Sequence, residues 1–305
     1  MSRLRKKPMV SAYLCNMEEV LGSAQLPALP HSAIHLLELT KNGDNGPSEY
    51  ALPIEADPRL AGQILKFINS TYFGFANEVT SIQLGINLVG IRSIKNFALW
   101  TAVFSLTPSM KVGCFDIRLL WQDSLRRALF AQAMSKHLNV DVPNEDLFTA
   151  ALLQDLAIPI LMREFPNEYP KMFECRVEEG LPLSEIEKEI FGWNHASAGS
   201  FVARSWKLPE TLCRHIENHT KIDPRWSLSN ALVGQFIVSL SALLPDSFSK
   251  KWHEREAFCQ SFDRINRPRR PLDEFFSLVD KEMEQFAPLL KLNTPGRSLA
   301  SYLED

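Results

Sequence analysis

Helical spacing of apolar residues recurs along most of this chain and limits what it can fold into. In the segment EADPRLAGQILKFINS, apolar residues recur at intervals of three and four, at Leu60, Ile64, Leu65 and Ile68. Asp57 can cap this helix, and Pro58 suits its first position because the N–H that proline lacks has no partner there. No segment shows the convincing alternation of a half-buried strand. The sequence therefore predicts an all-α fold of helices joined by short loops.

The length of 305 residues allows a sizeable core, in one large domain or two smaller ones. The pattern changes after about residue 222, where the strongly apolar NALVGQFIVSLSALL is followed by the basic loop RINRPRRP. Between Leu272 and Leu290, apolar residues again recur at intervals of three and four. We expect this stretch to form one amphipathic helix within a C-terminal helical extension.

Composition excludes several classes of protein. The net charge of −3 gives no general attraction to nucleic acids or acidic membranes, so neither is expected as a partner. The five cysteines form no metal-binding or redox spacing, which favours reduced thiols and a cytoplasmic location. No apolar run approaches the roughly 20 residues that cross a bilayer. One basic run contains Arg264, Arg267, Arg269 and Arg270 and could contact phosphate. Because it has no interleaved aromatic residues, it is better interpreted as a solvated linker.

A candidate site centres on AALLQDLAIPIL, residues 150–161, where Asp155 follows Gln154 at a polar break in an apolar run. Hydrolytic metal sites need several imidazole and carboxylate groups that converge. The groups available to join Asp155 are Asp123, His195, His215 and His219.

Each of these residues also has a structural interpretation. Four residues separate His215 from His219, so on a helix they would share a face, which suits a metal but is common by chance. Asp155 could instead cap a helix or pair with Arg126 or Arg127. No phosphate-binding loop, dinucleotide fingerprint, nucleophile elbow or HExxH motif occurs, and no cofactor is expected.

An ordered series of segments resembles the HDOD family, whose members are non-catalytic relatives of the HD metal phosphohydrolases in bacterial signalling. The segments are LPALP, IEADPRLAGQILKFINSTYFG, VTSIQLGINLVGIRSIKNFAL, LWQDSLRRA, ALLQDLA and WNHASAGSFVARSWKLPETLCRHIENH. This resemblance covers roughly residues 19–220. It implies an HD-related helical bundle with sub-bundles at about 19–112 and 113–220, an N-terminal extension at 1–18 and a C-terminal extension at 221–305.

The same resemblance implies a metal site that has lost some of its ligands. Asp123 stands where HD enzymes carry their first ligand histidine, and Gln154 replaces the histidine of the His-Asp pair, while Asp155 is retained. Ala157 replaces a common glycine, and Thr220 replaces the second histidine of a frequent closing pair. We therefore expect no catalytic residue and no bound metal.

Two further expectations follow from the same resemblance. His195, His215 and His219 would line the emptied pocket. Pro53 falls inside a helix of the family, so that helix should be short or kinked.

The function implied by the resemblance is signalling through protein–protein contact, without turnover. Its partners would be proteins, including two-component or cyclic-di-nucleotide signalling proteins acting in trans. Two alternatives stay open: a metal-dependent HD-type phosphohydrolase using Asp123, Asp155, His195, His215 and His219, and a nucleotide-sensing module in the emptied pocket. The sequence leaves the oligomeric state and the identity of the partner open.

Overall fold

The computed structural model describes residues 15–24, 26, 28–39, 44–70, 73–105, 111–112, 115–140 and 144–304. In this part of the chain the fold is all-α, as predicted. The helices are α1 (Met17–Ser23), α2 (His31–Leu39), α3 (Pro47–Glu55), α4 (Pro58–Ile68), α5 (Ile82–Val89), α6 (Ile91–Ser105), α7 (Ile117–Leu138), α8 (Asn144–Leu153), α9 (Ile158–Glu164), α10 (Tyr169–Glu179), α11 (Leu183–Phe191), α12 (His195–Ser205), α13 (Glu210–Asn218), α14 (Val233–Ser241), α15 (Arg255–Ile265) and α16 (Leu272–Phe286).

Shorter elements connect these helices. Strands β1 (Lys111–Val112) and β2 (Phe115–Asp116) pair antiparallel just before α7. Single 3-10 turns occupy Pro224–Leu228, Ala287–Leu290 and Ala300–Leu303.

The start of α4 is capped as the sequence predicted. Asp57 Oδ1 accepts a hydrogen bond of 3.1 Å from the backbone N–H of Leu60, and Pro58 is the first helical residue. The other carboxylate oxygen, Oδ2, accepts 3.0 Å from the hydroxyl of Ser32 on α2. The cap therefore also ties α2 to α4.

Proline lies at or near one end of three helices. Helix α3 contains Pro53 and ends two residues later, at Glu55. Helix α9 begins after an irregular turn at 154–157 and carries Pro159 in its first turn. The helix expected over Leu272–Leu290 ends earlier, at Phe286, because Pro288 has no N–H to continue the helical hydrogen-bond series, and a 3-10 turn follows.

The long helix α7 runs through the centre of the molecule and packs against α8, α14 and α16. Most of its residues are buried, including the polar side chains Gln122, Asp123 and Arg126. Buried polar groups need partners, so this helix determines which polar groups its neighbours must supply.

An aromatic series joins the N-terminal and C-terminal helices in one core. Phe67 on α4 lies 6.0 Å from Phe286 on α16, measured between ring centroids, and Phe148 on α8 lies 5.7 Å from the same ring. Trp100 on α6 stacks on Phe148 at 4.4 Å. Helices α14 to α16 therefore share a core with α4, α6, α7 and α8. The three-part division of the chain stays a prediction, and residues 1–14 of its N-terminal part lie outside the described residues.

Among the described helices, none has the length and apolar character that a membrane crossing requires.

Candidate functional site

Asp155 lies in the turn between α8 and α9. Helix α8 ends at Leu153, and the chain turns over residues 154–157 before Ile158 opens α9. The N–H of Ile158 donates to the carbonyl of Asp155 at 3.0 Å, which fixes the turn. Only 4% of Asp155 is exposed.

Two histidines converge on this carboxylate. Nε2 of His195, at the start of α12, lies 3.4 Å from Asp155 Oδ1, and Nε2 of His219, just after α13, lies 3.3 Å from the same oxygen. The two Nε2 atoms are 3.2 Å apart. Within the part of the chain that the structure describes, these three buried side chains form the group that could hold a metal ion. We call them the Asp-His-His cluster.

Arg127 on α7 forms an ion pair with the other oxygen of Asp155, Oδ2. Burial would raise the pKa of Asp155, but Arg127 and the hydrogen bond from His195 hold it well below its usual range. The ion pair that the sequence left open between Arg126 and Arg127 thus goes to Arg127. Arg126 instead contacts Asp123 at 3.8 Å and donates to the carbonyl of Arg297.

Glu187 on α11 holds the far side of His195. Its Oε2 lies 2.6 Å from His195 Nδ1 and accepts 2.8 Å from the backbone N–H of His195. The hydroxyl of Tyr169 donates to Glu187 Oε1 at 2.6 Å. Burial opposes a charge on His195, but Glu187 and Asp155 on its two sides raise the pKa of the imidazole to about 10. At neutral pH His195 is therefore a cation between two carboxyl groups.

The hydrogen bonds of His219 determine which of its nitrogens carries a proton. Its Nδ1 lies 2.7 Å from the carbonyl oxygen of Ile216, which can only accept, so Nδ1 carries the hydrogen. Burial lowers the pKa of His219, which leaves Nε2 with a free lone pair. That lone pair faces Nε2 of His195 and can accept a hydrogen bond from the N–H of His195.

Asp123, the first position that the resemblance implies to be degenerate, contacts Ser247 instead of Asp155. Its carboxylate accepts 2.8 Å from the backbone N–H and 2.6 Å from the hydroxyl of Ser247, in the loop after α14. Burial raises the pKa of Asp123 to about 6, against the opposing effect of Arg126 and Arg127. It is not part of the Asp-His-His cluster.

Gln154, the second degenerate position, is fully buried. Neither its amide oxygen nor its amide nitrogen has a hydrogen-bond partner among the described residues.

His215 and His219 contact different partners. His219 directly follows α13, keeps helical backbone angles and places its Nε2 3.3 Å from Asp155 Oδ1. His215 stays on the helix, where its Nδ1 lies 3.1 Å from Gln235 Oε1 on α14. The structure thus brings Asp155, His195 and His219 together and leaves His215 at a separate cavity.

Known proteins resemble this chain in sequence. The sequence profile of the HDOD domain matches residues 26–222, more than half of the chain. The chain belongs to the HDOD domain family. An uncharacterized protein of Treponema pallidum (strain Nichols) is 24% identical over 196 residues, which are 64% of this chain and 37% of that protein. The match thus spans well under half of the length of that relative.

Solved HDOD-like structures share the fold. An HDOD domain protein of unknown function from Geobacter sulfurreducens has a TM-score of 0.66 at 17% identity and covers 90% of this chain and 95% of its own. A protein provisionally named for signal transduction, from Marinobacter aquaeolei VT8, has a TM-score of 0.68 at 18% identity, with 92% and 62% covered. One provisionally named a phosphohydrolase, from Shewanella amazonensis SB2B, has a TM-score of 0.61 at 20% identity, with 95% of both chains covered.

The Asp-His-His cluster of this HDOD protein meets only part of what a metal would require. Ligand atoms about 2.0–2.2 Å from a tetrahedral metal lie about 3.3–3.6 Å from one another, close to the 3.2–3.4 Å seen here. The charges differ from those of a metal site, because Arg127 already pairs with Asp155 and a proton on His195 lies between two carboxyl groups. The distances between the ligand atoms fit a metal ion, whereas the charges fit a site that holds the proton of His195 and the guanidinium of Arg127.

Sequence reasoning missed Glu187 and Tyr169, which complete the network. The signal for Glu187 was its phase, since it falls on the apolar face that Leu183, Ile186 and Ile190 bury. An acidic residue on the buried face of an amphipathic helix needs a buried partner. Nothing local to Tyr169 distinguished it from a core aromatic residue.

Proposed function

We propose that this chain is a non-catalytic regulatory protein of the HDOD family that acts through contact with other proteins. The observation that carries the proposal is the ion pair between Arg127 and Asp155. In an HD phosphohydrolase the retained aspartate would bind metal. Here a side chain of the protein itself supplies the positive charge.

Access to the cluster supports the same conclusion. A catalytic metal keeps one coordination position open for water or substrate. Asp155, His195 and His219 are 4%, 5% and 2% exposed, and Arg127 covers the remaining carboxylate oxygen. A phosphate ester would have to displace buried groups to reach the cluster.

An exposed apolar surface supports the protein-contact part of the proposal. Leu84 and Leu88 lie one turn apart on α5, and each is 48% exposed. Helix α3, which packs against α5, exposes 67% of Leu52. Exposed apolar groups of this kind often mark protein interaction sites. We assign this surface to a partner protein in the cytoplasm, of the two-component or cyclic-di-nucleotide signalling class.

Affinity capture from the native host tests this assignment. The wild-type chain should retain a specific protein, and Leu84→Glu with Leu88→Glu should lose it, because two charges would be buried in an apolar contact. The matched control places the same charges on exposed positions of the same helix, Gln83→Glu with Asn87→Glu, and should keep the partner. Equal capture by both double variants would remove α5 from the account.

The alternative function is a metal-dependent phosphohydrolase, and the ligand-like spacing of the Asp-His-His cluster favours it. Metal analysis of the purified protein, combined with hydrolysis of bis-p-nitrophenyl phosphate in the presence of manganese, separates the two functions. We expect less than stoichiometric metal and no hydrolysis above background. About one bound metal per chain, with hydrolysis that Asp155→Ala abolishes, would establish the enzyme instead.

A further inference from the structure

A cavity of about 400 Å³ opens between α6, α8, α13 and α14, lined by groups from each. Asp155, His195 and His219 do not line it, so it is separate from the Asp-His-His cluster. Cavities of a few hundred Å³ accommodate small organic ligands. Its walls are mainly apolar, and Leu99, Leu212, Trp226 and Leu232 supply much of that surface.

Lys95 on α6 is a cation of this cavity; burial lowers the pKa of its ammonium group, and the nearby carboxylate of Asp146 opposes that effect. No hydrogen bond or ion pair to Lys95 occurs within the described structure, although its side chain is half-buried. Asp146, the acidic group that also lines the cavity, already pairs with Arg92 at 2.6 Å. Arg214 at the rim faces Glu210 at 3.7 Å. An ammonium on an apolar wall that shares its nearest carboxylate, Asp146, with Arg92 attracts a further anion.

His215 adds a hydrogen-bond acceptor. The amide nitrogen of Gln235 lies within hydrogen-bond distance of the His215 carbonyl at 3.4 Å and of the Ser239 hydroxyl at 3.2 Å, so the amide oxygen is the atom that faces His215. That oxygen can only accept, so His215 Nδ1 carries the hydrogen and Nε2 keeps a lone pair. Burial lowers the pKa of His215, which favours this neutral form.

We propose that this cavity binds a small amphipathic carboxylic acid. Lys95 pairs with the carboxylate, the apolar walls cover the body of the ligand, and His215 Nε2 accepts a hydrogen bond from a hydroxyl or amide group on it. A phosphate fits less well, because a group with two charges would face the lone pair of His215. The proposal does not depend on whether the chain is catalytic.

Two fluorescent probes of similar shape test the role of charge in the full-length protein. The anionic probe is 8-anilinonaphthalene-1-sulfonate, and the neutral one is N-phenyl-1-naphthylamine. Lys95→Gln should weaken binding of the anion about tenfold, because a hydrogen bond to a charged group is lost, and should change binding of the neutral probe less than twofold. Lys95→Arg should keep anion binding. The control Lys66→Gln, on the exposed face of α4, should match the wild type with both probes.

Two readouts place the probe in this cavity. Excitation of tryptophan should sensitise emission from the bound probe, and Trp226→Phe should reduce that emission. Decanoate should displace the anionic probe from the wild type and displace it poorly from Lys95→Gln. Unfolding midpoints of all variants should match the wild type. Equal anion binding by the wild type and Lys95→Gln, or equal losses of both probes, would overturn the proposal.

Discussion

Arg127 sets the electrostatic balance around Asp155, and this balance explains how the charge of Asp155 can be buried. Two carboxyl groups, Asp155 and Glu187, face two cations, Arg127 and the imidazolium of His195. Buried charges are tolerated when they are paired and hydrogen-bonded. Removing one cation should therefore cost far more than removing an exposed one.

Arg127→Met should lower the free energy of unfolding by about 3–5 kcal/mol, because Asp155 would keep its charge in the core without its cation. Urea denaturation followed by circular dichroism measures this. The control is Arg163→Met, which breaks an exposed pair with Glu164 and should cost less than about 1 kcal/mol. Adding Asp155→Asn to Arg127→Met should recover part of the loss, as expected for two coupled residues. A loss no larger than that of Arg163→Met would mean that Arg127 does not balance Asp155.

Asp123 predicts a pH dependence of stability. Its folded pKa of about 6 exceeds the ordinary 3.8, so the folded protein holds this proton more tightly than the unfolded chain does. The stabilisation is complete below about pH 4 and is lost as the pH rises through about 6, with a total on the order of 3 kcal/mol. Asp123→Asn stays neutral at every pH. Its stability relative to the wild type should therefore rise by about that amount between pH 4 and pH 7.5.

Urea titrations of both proteins at a series of pH values test this dependence. Asp273→Asn, at an exposed carboxylate on α16, is the control and should follow the wild type. A difference between Asp123→Asn and wild type that stays constant with pH would contradict the shifted pKa.

At the scale of single residues, the sequence left open whether Asp155 caps a helix or pairs with one of two arginines, and it could not choose between the arginines. Arg126 and Arg127 are adjacent on α7, and which one faces α8 depends on the rotation of the helix in the core. Glu187 was missed because its partners, Tyr169 and His195, lie on other helices.

Helix ends were the most predictable features of the helices, because the residues that signal them are close together in the sequence. Asp57 and Pro58 start α4, and Pro53 shortens α3, each for a reason contained in a few residues. The end of α16 could also have been read from Pro288, but the apolar spacing suggested continuity to Leu290. A periodic pattern indicates which face is buried and does not guarantee that the helix continues.

Asp57→Ala should destabilise the protein by about 0.5–2 kcal/mol, because the N–H of Leu60 loses its acceptor. The loss should fall at the upper end, since the hydroxyl of Ser32 also loses its partner. Asp57→Asn keeps an acceptor oxygen for Leu60 and should cost less. Thermal or urea unfolding of the three proteins gives the comparison. Equal stability of Asp57→Ala and wild type would remove this cap from the account.

At the scale of the whole molecule, the sequence predicted the helices and the family but not how the C-terminal helices pack. The HDOD match ends at residue 222, yet α14 to α16 contribute to the core that contains α4, α6, α7 and α8. Apolar periodicity shows that a helix has a face to bury without naming what it packs against. The separation of His215 from the Asp-His-His cluster was hidden for a similar reason, since it depends on which elements pack against α13.

Phe286 provides the test of this shared core. Its ring is 2% exposed and lies against Phe67 of α4 and Phe148 of α8. Phe286→Ala should lower the free energy of unfolding by about 3–5 kcal/mol, because it removes a large buried ring and leaves a cavity where three helices meet. Phe75→Ala, at a ring that is 37% exposed, is the control and should cost much less. Because one core joins the two ends of the chain, Phe286→Ala should still unfold in a single transition, with tryptophan fluorescence and circular dichroism coincident. Two separated transitions, with the N-terminal helices keeping wild-type stability, would show instead that the C-terminal helices fold as an independent unit.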